Sequence, residues 1–337
     1  MNIPSFEDPQ LASKIGERLN NLTKPPGSLG QLEELVARYA LIRGEIMPQL
    51  ASKAMYIFCG DHGVTAEGVS AFPSEITVQM VRNFLRGGAA INVLCRHFGI
   101  ETSIVDCGVK TPCGEPGVID RRIACGTANF AAGPAMTREQ AERAIGNGVA
   151  LAREASSRYH VAGVGEMGIG NTTSASALMC VFCGVDPPAA AGSGAGLDHD
   201  GVIRKARVIE AALRLHTPRA DDPTGTLAAV GGFEIATMAG FLLGAAETRL
   251  PVVVDGFIAF SAALAAVAIA PAAKQALFFA HCSAEKAHRT MLAHLGVRPM
   301  LDLDMRLGEG SASAIGIGLL EASVKLYREM ATFQDLR

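Results

Sequence analysis

The chain has 337 residues, of which 49% are hydrophobic and 19% charged, so it can bury a sizeable core in one large domain or two modest ones. The formal net charge is −3, no run of basic residues is present and Trp is absent. Nucleic acid is therefore not an expected partner, because binding it requires clustered Lys and Arg.

Neither the first residues nor the longest apolar run predicts export or a membrane span. Residues 1–10 are mixed and acidic, without the charged and apolar regions of a secretory signal. The apolar run Pro251–Ala273 contains an Asp-Gly pair near one end, which favours a buried strand, a loop and an Ala-rich helix. The eight cysteines include a single C-x-x-C, Cys180 and Cys183, without a second pair for zinc. We expect a cytoplasmic protein with reduced thiols and no metal.

In the N-terminal half, short apolar runs predict strands and periodic apolar residues predict helices. The strands are Ala54–Cys59 and Thr102–Asp106, and Gly60-Asp-His-Gly63 follows the first at once. Residues 111–130 carry scattered Gly and Cys and predict no regular element. The helices are 31–43 after a Pro-Pro-Gly turn, then 75–85, 89–98 and 138–159, the last capped by Thr137.

The C-terminal half continues this alternation. Small-residue or apolar runs predict helices after Gly232, after Gly256, and at 173–183, 201–215 and 314–330. Asp198 or Asp200 can cap the helix near 201. Apolar runs predict strands at 159–164, 252–255, 276–281 and 299–303. Short apolar strands that alternate with helices predict an α/β fold with a mostly parallel sheet flanked by helices.

Polar, glycine-containing loops follow these strands, and in parallel sheets the ligand crevice lies beyond the carboxyl ends of the strands. In the stretch Gly163–Thr173 the glycines would let backbone amides approach a ligand, and the following helix would point its free N–H groups at an anion. Glu166 stands in the middle of this stretch, which predicts a second role beside anion binding. We therefore expect one composite pocket and an enzyme.

The spacing Gly163-x-Gly165-x-x-Gly168 also fits a dinucleotide fingerprint, with Asp186 about 20 residues further on. An NAD-dependent dehydrogenase is therefore an alternative hypothesis. Against it, Glu166 would face a pyrophosphate, and the two prolines after Asp186 suit a turn better than a strand end.

Two further loops carry acidic residues. Asp221-Asp222-Pro-Thr-Gly-Thr226 resembles the acidic loop of phosphoribosyl-pyrophosphate enzymes, but no apolar strand precedes it, so it predicts a helix-capping loop. In Leu307–Ser311, Glu309 stands between two glycines. It is either an exposed residue of a capping loop or a carboxylate held on a tight turn, where burial or a neighbouring acid would raise its pKa.

Six stretches follow one another along the chain: Lys24–Gly30, Asp61–Gly63 with Glu67–Pro73, Gly163–Thr173, Val254–Phe257, Ser283–Lys286 and Leu307–Ser311. Together they resemble the nicotinate-nucleotide:dimethylbenzimidazole phosphoribosyltransferase family, and the resemblance runs from about Leu19 to Tyr327. The resemblance implies a Rossmann-like domain of residues 46–300, a small helical domain of residues 1–45 plus 301–337, and a homodimer. It implies transfer of phosphoribosyl from nicotinate mononucleotide to 5,6-dimethylbenzimidazole, giving nicotinate and the α-ribazole 5′-phosphate of the cobalamin lower ligand, without a cofactor.

The resemblance also implies roles for individual residues. Glu309 matches the general base that takes the benzimidazole proton, and Glu166 matches a second acid near the ribose. Asn171 and Thr172 either hydrogen-bond the substrate or cap the following helix. The phosphate is expected on the amides of Gly168, Ser283, Gly310 and Ser311 with Lys205 as the charge, and the aromatic base between Phe72, Met80, Met167 and Leu307.

The sequence departs from the family pattern at Ala312, Ser313 and Lys286–His288. The preferred acceptor base therefore stays open. A non-catalytic nucleotide sensor on the same fold is a further alternative.

Overall fold

The computed structural model describes residues 2–112, 114–194, 196–285 and 287–336. Its sheet has six parallel strands in the order β3-β2-β1-β4-β5-β6, the order of doubly wound folds. This confirms the predicted α/β class. The strands are β1 (Lys53–Gly60), β2 (Glu101–Gly108), β3 (Val118–Asp120), β4 (Val161–Met167), β5 (Val252–Val254) and β6 (Leu277–Phe279).

Helices connect and cover the strands, and two short 3₁₀ turns, Gly63–Glu67 and Pro271–Ala276, lie between them. Among the described residues, no helix combines the length and apolarity needed to cross a bilayer. The helices are α1 (Pro9–Asn21), α2 (Gln31–Arg43), α3 (Glu75–Leu85), α4 (Ala90–Phe98), α5 (Arg138–Ser156), α6 (Asn171–Cys183), α7 (Pro187–Ala190), α8 (His199–His216), α9 (Pro223–Val230), α10 (Phe233–Glu247), α11 (Phe257–Ile269), α12 (His288–Leu295) and α13 (Ser311–Glu329).

Strand β1 shows how the core is divided between two layers, because alternate side chains of a strand point to opposite faces of the sheet. Tyr56 and Phe58 lie against Phe241 of α10, with ring centroids 4.8 and 5.6 Å away. Met55 points the other way, toward Gly310 at the start of α13. All eight residues of β1 are buried, as expected for a central strand covered by helices on both faces.

Two predicted features of the sheet are wrong. Residues 299–303 form no strand, and Leu301 makes only an isolated bridge with His281. The sixth strand is instead β3, in the segment for which the sequence predicted no element. Its three residues pair with Ile104–Asp106 of β2. So short a strand has no alternation of its own, and its pairing depends on a partner that the sequence does not mark.

The two ends of the chain lie together. Arg18 of α1 donates to the carbonyl of Tyr327, and its guanidinium lies 5.2 Å from the centroid of that ring. Leu22 and Thr332 form an antiparallel bridge, and α2 packs against α13. Helix α13 also contacts β4 and β5 of the sheet. The division into a domain of residues 46–300 and one of the two chain ends stays a prediction.

Candidate active site

A cleft of about 160 Å³ lies where β4, β5 and β6 end, on the carboxyl side of the sheet. It borders the point between β1 and β4 at which the strand order reverses, where ligands bind in doubly wound folds. The residues that line it come from the ends of all three strands and from the loop before α13. The predicted site residues among them are Glu166, Met167, Gly168, Asn171, Thr172, Ser283, Leu307 and Glu309.

Glu166 is the last residue but one of β4, and its carboxylate is buried in the floor of the cleft. Asn171, at the start of α6, donates a hydrogen bond from Nδ2 to Oε2 of Glu166. Burial raises the pKa of Glu166 to about 8, and the nearby charge of Asp255 adds to the rise. In the ligand-free protein this carboxyl therefore retains a proton at neutral pH.

Glu309 stands on a turn with a left-handed backbone. Its φ is 64°, between Gly308 at 83° and Gly310 at 90°, and such a conformation costs a residue with a side chain about 1–2 kcal/mol. Its Oε2 is buried and has no hydrogen-bond partner in the described part of the chain. Burial raises the pKa of Glu309, the backbone amide of Ile91 opposes this rise, and the charge of Asp255 adds to it. The turn thus presents an unpaired carboxylate oxygen at the cleft, as a proton acceptor requires.

The glycines of β4 make room for this turn. A side chain on Gly165 would overlap the backbone of Glu309 and Gly310, and one on Gly308 would overlap Oε1 of Glu166. Gly163 lies against Met55 and Ser313. The hypothesis that these glycines bind a dinucleotide is therefore wrong. Gly163 and Gly165 lie inside a strand, and the space beside them is occupied by protein atoms rather than by a pyrophosphate.

Asp255, which the sequence did not place among the site residues, follows β5 and is 2% exposed. Its Oδ2 accepts from the amide of Gly310 at 3.0 Å, and its Oδ1 accepts from the amides of Ala312 and Ser313 at 2.9 and 3.0 Å. It thereby occupies the amino end of α13, where unpaired N–H groups attract an anion. The sequence signal was an Asp inside an otherwise apolar run.

Three of the four amides expected to bind the phosphate already have acceptors. Gly310 donates to Asp255, Ser311 to the carbonyl of Gly308, and Ser283 to Nδ1 of His288 at 2.8 Å. A phosphate would have to displace these acceptors. The amides of Gly310, Ser311 and Ser283 are therefore not free donors in this conformation, and their part in phosphate binding stays a prediction.

Lys205 is 1% exposed, although its local sequence suggested a solvated helix residue. Its Nζ donates to Oγ1 of Thr172 at 3.2 Å and to the carbonyl of Gly192 at 3.1 Å. Burial lowers the pKa of Lys205 to about 8, against which the charge of Glu285 acts. Since Thr172 lines the cleft, this ammonium lies directly behind the cleft wall.

Phe72 and Met80 do not line this cleft. Phe72 is 48% exposed and lines a neighbouring cavity of about 470 Å³ at the end of β1, and Met80 packs on the core from α3. The backbone between Gly168 and Gly170 lies beside both cavities, with Gly170 against His62. Met167 and Leu307 are the expected base-contacting residues that the cleft contains.

A further buried acid, Glu234, lies behind the site and was not predicted. Nε2 of His62 lies 2.6 Å from Oε1 of Glu234 at the start of α10, and both side chains are fully buried. Nδ1 of His62 lies 2.9 Å from Oγ of Ser174 in α6. Oε2 of Glu234 has no partner among the described residues. This network joins the end of β1 to the first turns of α6 and α10.

Other predictions concern residues at the edge of the site. Asp222 caps α9 by accepting from the amide of Gly225, as expected for a capping loop. Lys286, the last residue of one of the six stretches, lies outside the described residues. Within the described ranges, no cluster of three or more His, Cys, Asp or Glu is arranged to hold a metal ion.

Comparison with known proteins gives a consistent result. A family model described as "Phosphoribosyltransferase" matches residues 5–336. The nicotinate-nucleotide–dimethylbenzimidazole phosphoribosyltransferase of Geobacter sulfurreducens is 51% identical over 97% of this chain and 94% of its own length. That of Pelodictyon phaeoclathratiforme is 50% identical over 97% of this chain and 93% of its own. The crystal structure of CobT from Thermus thermophilus superposes with a TM-score of 0.92, at 42% identity, over 97% of this chain and 98% of the other. The chain therefore belongs to the nicotinate-nucleotide–dimethylbenzimidazole phosphoribosyltransferase family.

Proposed function

We propose that this protein transfers phosphoribosyl from nicotinate mononucleotide to 5,6-dimethylbenzimidazole or a related base. The products are nicotinate and α-ribazole 5′-phosphate, the precursor of the cobalamin lower ligand. The observation that carries the proposal is that two buried carboxyls, Glu166 and Glu309, share one cleft in a chain of this family. Family membership leaves the dehydrogenase hypothesis without support.

The chemistry needs two acids of different function. The bond from the ribose anomeric carbon to the pyridinium nitrogen breaks, and the electron pair neutralises that nitrogen. A ring nitrogen of the benzimidazole supplies the pair for the new bond, and its other nitrogen gives up the N–H proton. Glu309 is the proposed acceptor of this proton, because its unpaired Oε2 needs a donor.

Glu166 is proposed to stabilise the positive charge that develops on the ribose. In the free protein its pKa of about 8 keeps it largely protonated at neutral pH. The positive pyridinium of bound nicotinate mononucleotide lowers this pKa, since an opposite charge nearby favours the ionised form. The proposed role requires Glu166 to be ionised when nicotinate mononucleotide is bound.

The 5′-phosphate is proposed to bind on the Gly168, Thr172 and Ser283 side of the cleft. Lys205 supports this position because its ammonium already contacts Oγ1 of Thr172 and has a third hydrogen left to donate. Asn171 is assigned to holding Glu166 rather than to the substrate. A phosphate at Gly310 and Ser311 would require the turn to open.

The flat base is proposed to lie against Met167 and Leu307 in the cleft, and the resemblance adds Phe72 and Met80. For these two to take part, the base would have to extend past Gly168 toward the neighbouring cavity. A homodimer and a cytoplasmic location are further proposals. The second is supported by the free thiols of the described cysteines.

The test is a chromatographic assay with nicotinate mononucleotide and dimethylbenzimidazole, comparing the parent with Glu309→Gln. We expect kcat to fall by about 10²–10⁴, the usual contribution of a general base, with little change in KM. Glu329→Gln, at an exposed position in the last turn of α13, the helix that follows Glu309, is the matched control and should leave kcat unchanged. Unchanged turnover in Glu309→Gln would show that the base is another residue.

The same assay tests the sensor alternative. A parent protein that binds nicotinate mononucleotide but never consumes it with any base would be a sensor.

A further inference from the structure

Helix α13 begins without a capping side chain of its own. Its N-cap is Gly310, which can offer no oxygen to the first amides of the helix. Asp255, on the loop after β5, supplies both oxygens instead and accepts three backbone hydrogen bonds there. One of the three donors is the amide that directly follows Glu309.

The Glu309 turn is strained and needs external support. Three successive residues, 308–310, have positive φ values, and Glu309 is the one among them that carries a side chain. Such conformations persist where the surroundings over-determine them. Gly165 presses against the turn from β4, the hydroxyl of Ser311 donates to the carbonyl of Gly308, and Asp255 fixes the amide of Gly310.

We propose that Asp255 is a positioning residue, which holds the 308–310 turn in its left-handed form and so aims the Glu309 carboxylate into the cleft. The inference rests on the proposed function, because that function makes Glu309 the base. Asp255 itself need not touch the reacting atoms. Without its carboxylate the Gly310 amide loses its acceptor, and the peptide that carries Glu309 can rotate out of the strained region.

The charge of Asp255 has a second effect on the same base. The other titratable and charged groups that line the cleft with Glu309 are Glu166 from β4, Asp255 after β5, His281 after β6, Glu285 and Arg306. Burial raises the pKa of Asp255, whereas His281 and the three backbone amides act to lower it. Burial lowers the pKa of His281. Asp255 in turn raises the pKa of Glu309. Removing this charge should therefore lower the pKa of the base.

The test compares Asp255→Asn and Asp255→Glu with the parent. Asn keeps the size of the side chain but loses the charge and one acceptor oxygen. We expect kcat to fall by about 10²-fold, as a displacement of about 1 Å would cause, with KM for nicotinate mononucleotide nearly unchanged. The acid limb of the kcat–pH profile should move to lower pH. Asp255→Glu keeps the charge. Its kcat should fall, while the acid limb of its kcat–pH profile should move less than that of Asp255→Asn.

The matched control is Asp222→Asn, which removes the charge from another helix-capping aspartate, at the start of α9. It should keep the kcat and the pH profile of the parent. If both Asn variants lose kcat equally, or if Asp255→Asn keeps the parent's kcat and acid limb, the positioning role is refuted. If Asp255→Asn does not fold, Ser311→Ala replaces it in the test. This variant removes the hydrogen bond from the Ser311 hydroxyl to the carbonyl of Gly308, and it must lower kcat without changing KM.

A second readout separates this inference from the proposed function. Titration of the Glu309 carboxyl by ¹³C NMR needs no turnover, and Asp255→Asn should lower its pKa relative to the parent. A parent that releases no nicotinate rejects the proposed function and leaves this measurement valid. An unchanged Glu309 pKa in the variant would overturn the inference.

Discussion

At the scale of single residues, the site is marked by carboxyl groups that burial keeps from their usual ionisation. Oε2 of Glu309 is buried without a partner in the described part of the chain, and an unpaired acceptor of this kind costs about 1–3 kcal/mol. Oε2 of Glu234 shares this property but lies behind the cleft. A ligand with an N–H group could donate a hydrogen bond to Oε2 of Glu309, as the benzimidazole does in the proposed reaction.

The raised pKa of Glu166 predicts a pH dependence of stability. A carboxyl whose folded pKa lies above its unfolded value stabilises the protein at low pH and loses that effect as pH rises. For Glu166 the window runs from the ordinary value of 4.5 to about 8. Glu166→Gln should thus have a higher free energy of unfolding than the parent at pH 8, by up to about 4–5 kcal/mol, and a similar one below pH 4.5.

Urea denaturation of both proteins across this pH range measures the difference. A gap between the two that stays constant from pH 4.5 to 8 would contradict the assignment of a raised pKa. Activity provides a separate check, because Glu166→Gln cannot ionise and should lose kcat.

At the scale of elements, β4 and the start of α13 approach each other closely because both have glycines, which carry no side chain, at the points of contact. Gly165 faces the backbone of Glu309 and Gly310, and Gly163 leaves space for Oγ of Ser313, which donates to the carbonyl of Val253 at 2.7 Å. The strand glycines thus set the distance between the segments that carry Glu166 and Glu309, the two carboxyls proposed to act in catalysis.

Gly165→Ala should therefore reduce activity and stability together. Its methyl group would overlap backbone atoms that cannot rotate away, so the turn must shift, and we expect a loss of about 1–3 kcal/mol and a strong fall in kcat. Gly146→Ala is the matched control, because a methyl group there meets no atom within 4 Å in an exposed part of α5. It should stabilise the protein by up to about 1 kcal/mol. Thermal unfolding and the transfer assay measure both effects, and equal behaviour of the two variants would contradict this account.

At the scale of the whole molecule, the strand order brings the site together. Because β4 lies between β1 and β5, the end of β4 that carries Glu166 and the loop that carries Asp255 are neighbours, and the end of β1 adjoins them. The buried pair of His62 and Glu234 connects β1 with α10 across 172 positions of the chain. This pair stabilises the carboxyl side of the sheet without entering the cleft.

Removing one partner of this pair should be costly. His62→Ala leaves Glu234 buried and unpaired, and we expect a loss of about 3–5 kcal/mol in the free energy of unfolding. The double variant His62→Ala with Glu234→Ala should recover part of this loss, since no uncompensated acid then remains. Chemical denaturation measures both. A double variant less stable by the sum of the single losses would argue against direct coupling.

Much of the fold and part of the site followed from local sequence. Periodicity predicted α2 and α3 with the bounds that the structure shows, because each presents one apolar face to the core. The Gly-Glu-Gly sequence around Glu309 allowed either an exposed residue of a capping loop or a carboxylate on a tight turn, and the structure has the tight turn, with positive φ at both glycines. Loops after strands correctly located the crevice on the carboxyl side of the sheet.

What local sequence left open was every contact between distant segments. Strand β3 exists through its pairing with β2, and the glycines of β4 resembled a phosphate loop until their neighbours were known. The amides of Gly310 and Ser311 were expected to be free for a phosphate, because the local sequence does not show which acceptors they have in the folded protein. Asp255 lies 55 positions before Gly310, so no periodicity couples the two. Local propensity and burial determined the elements, whereas the register of the sheet decided which carboxyl meets which helix end.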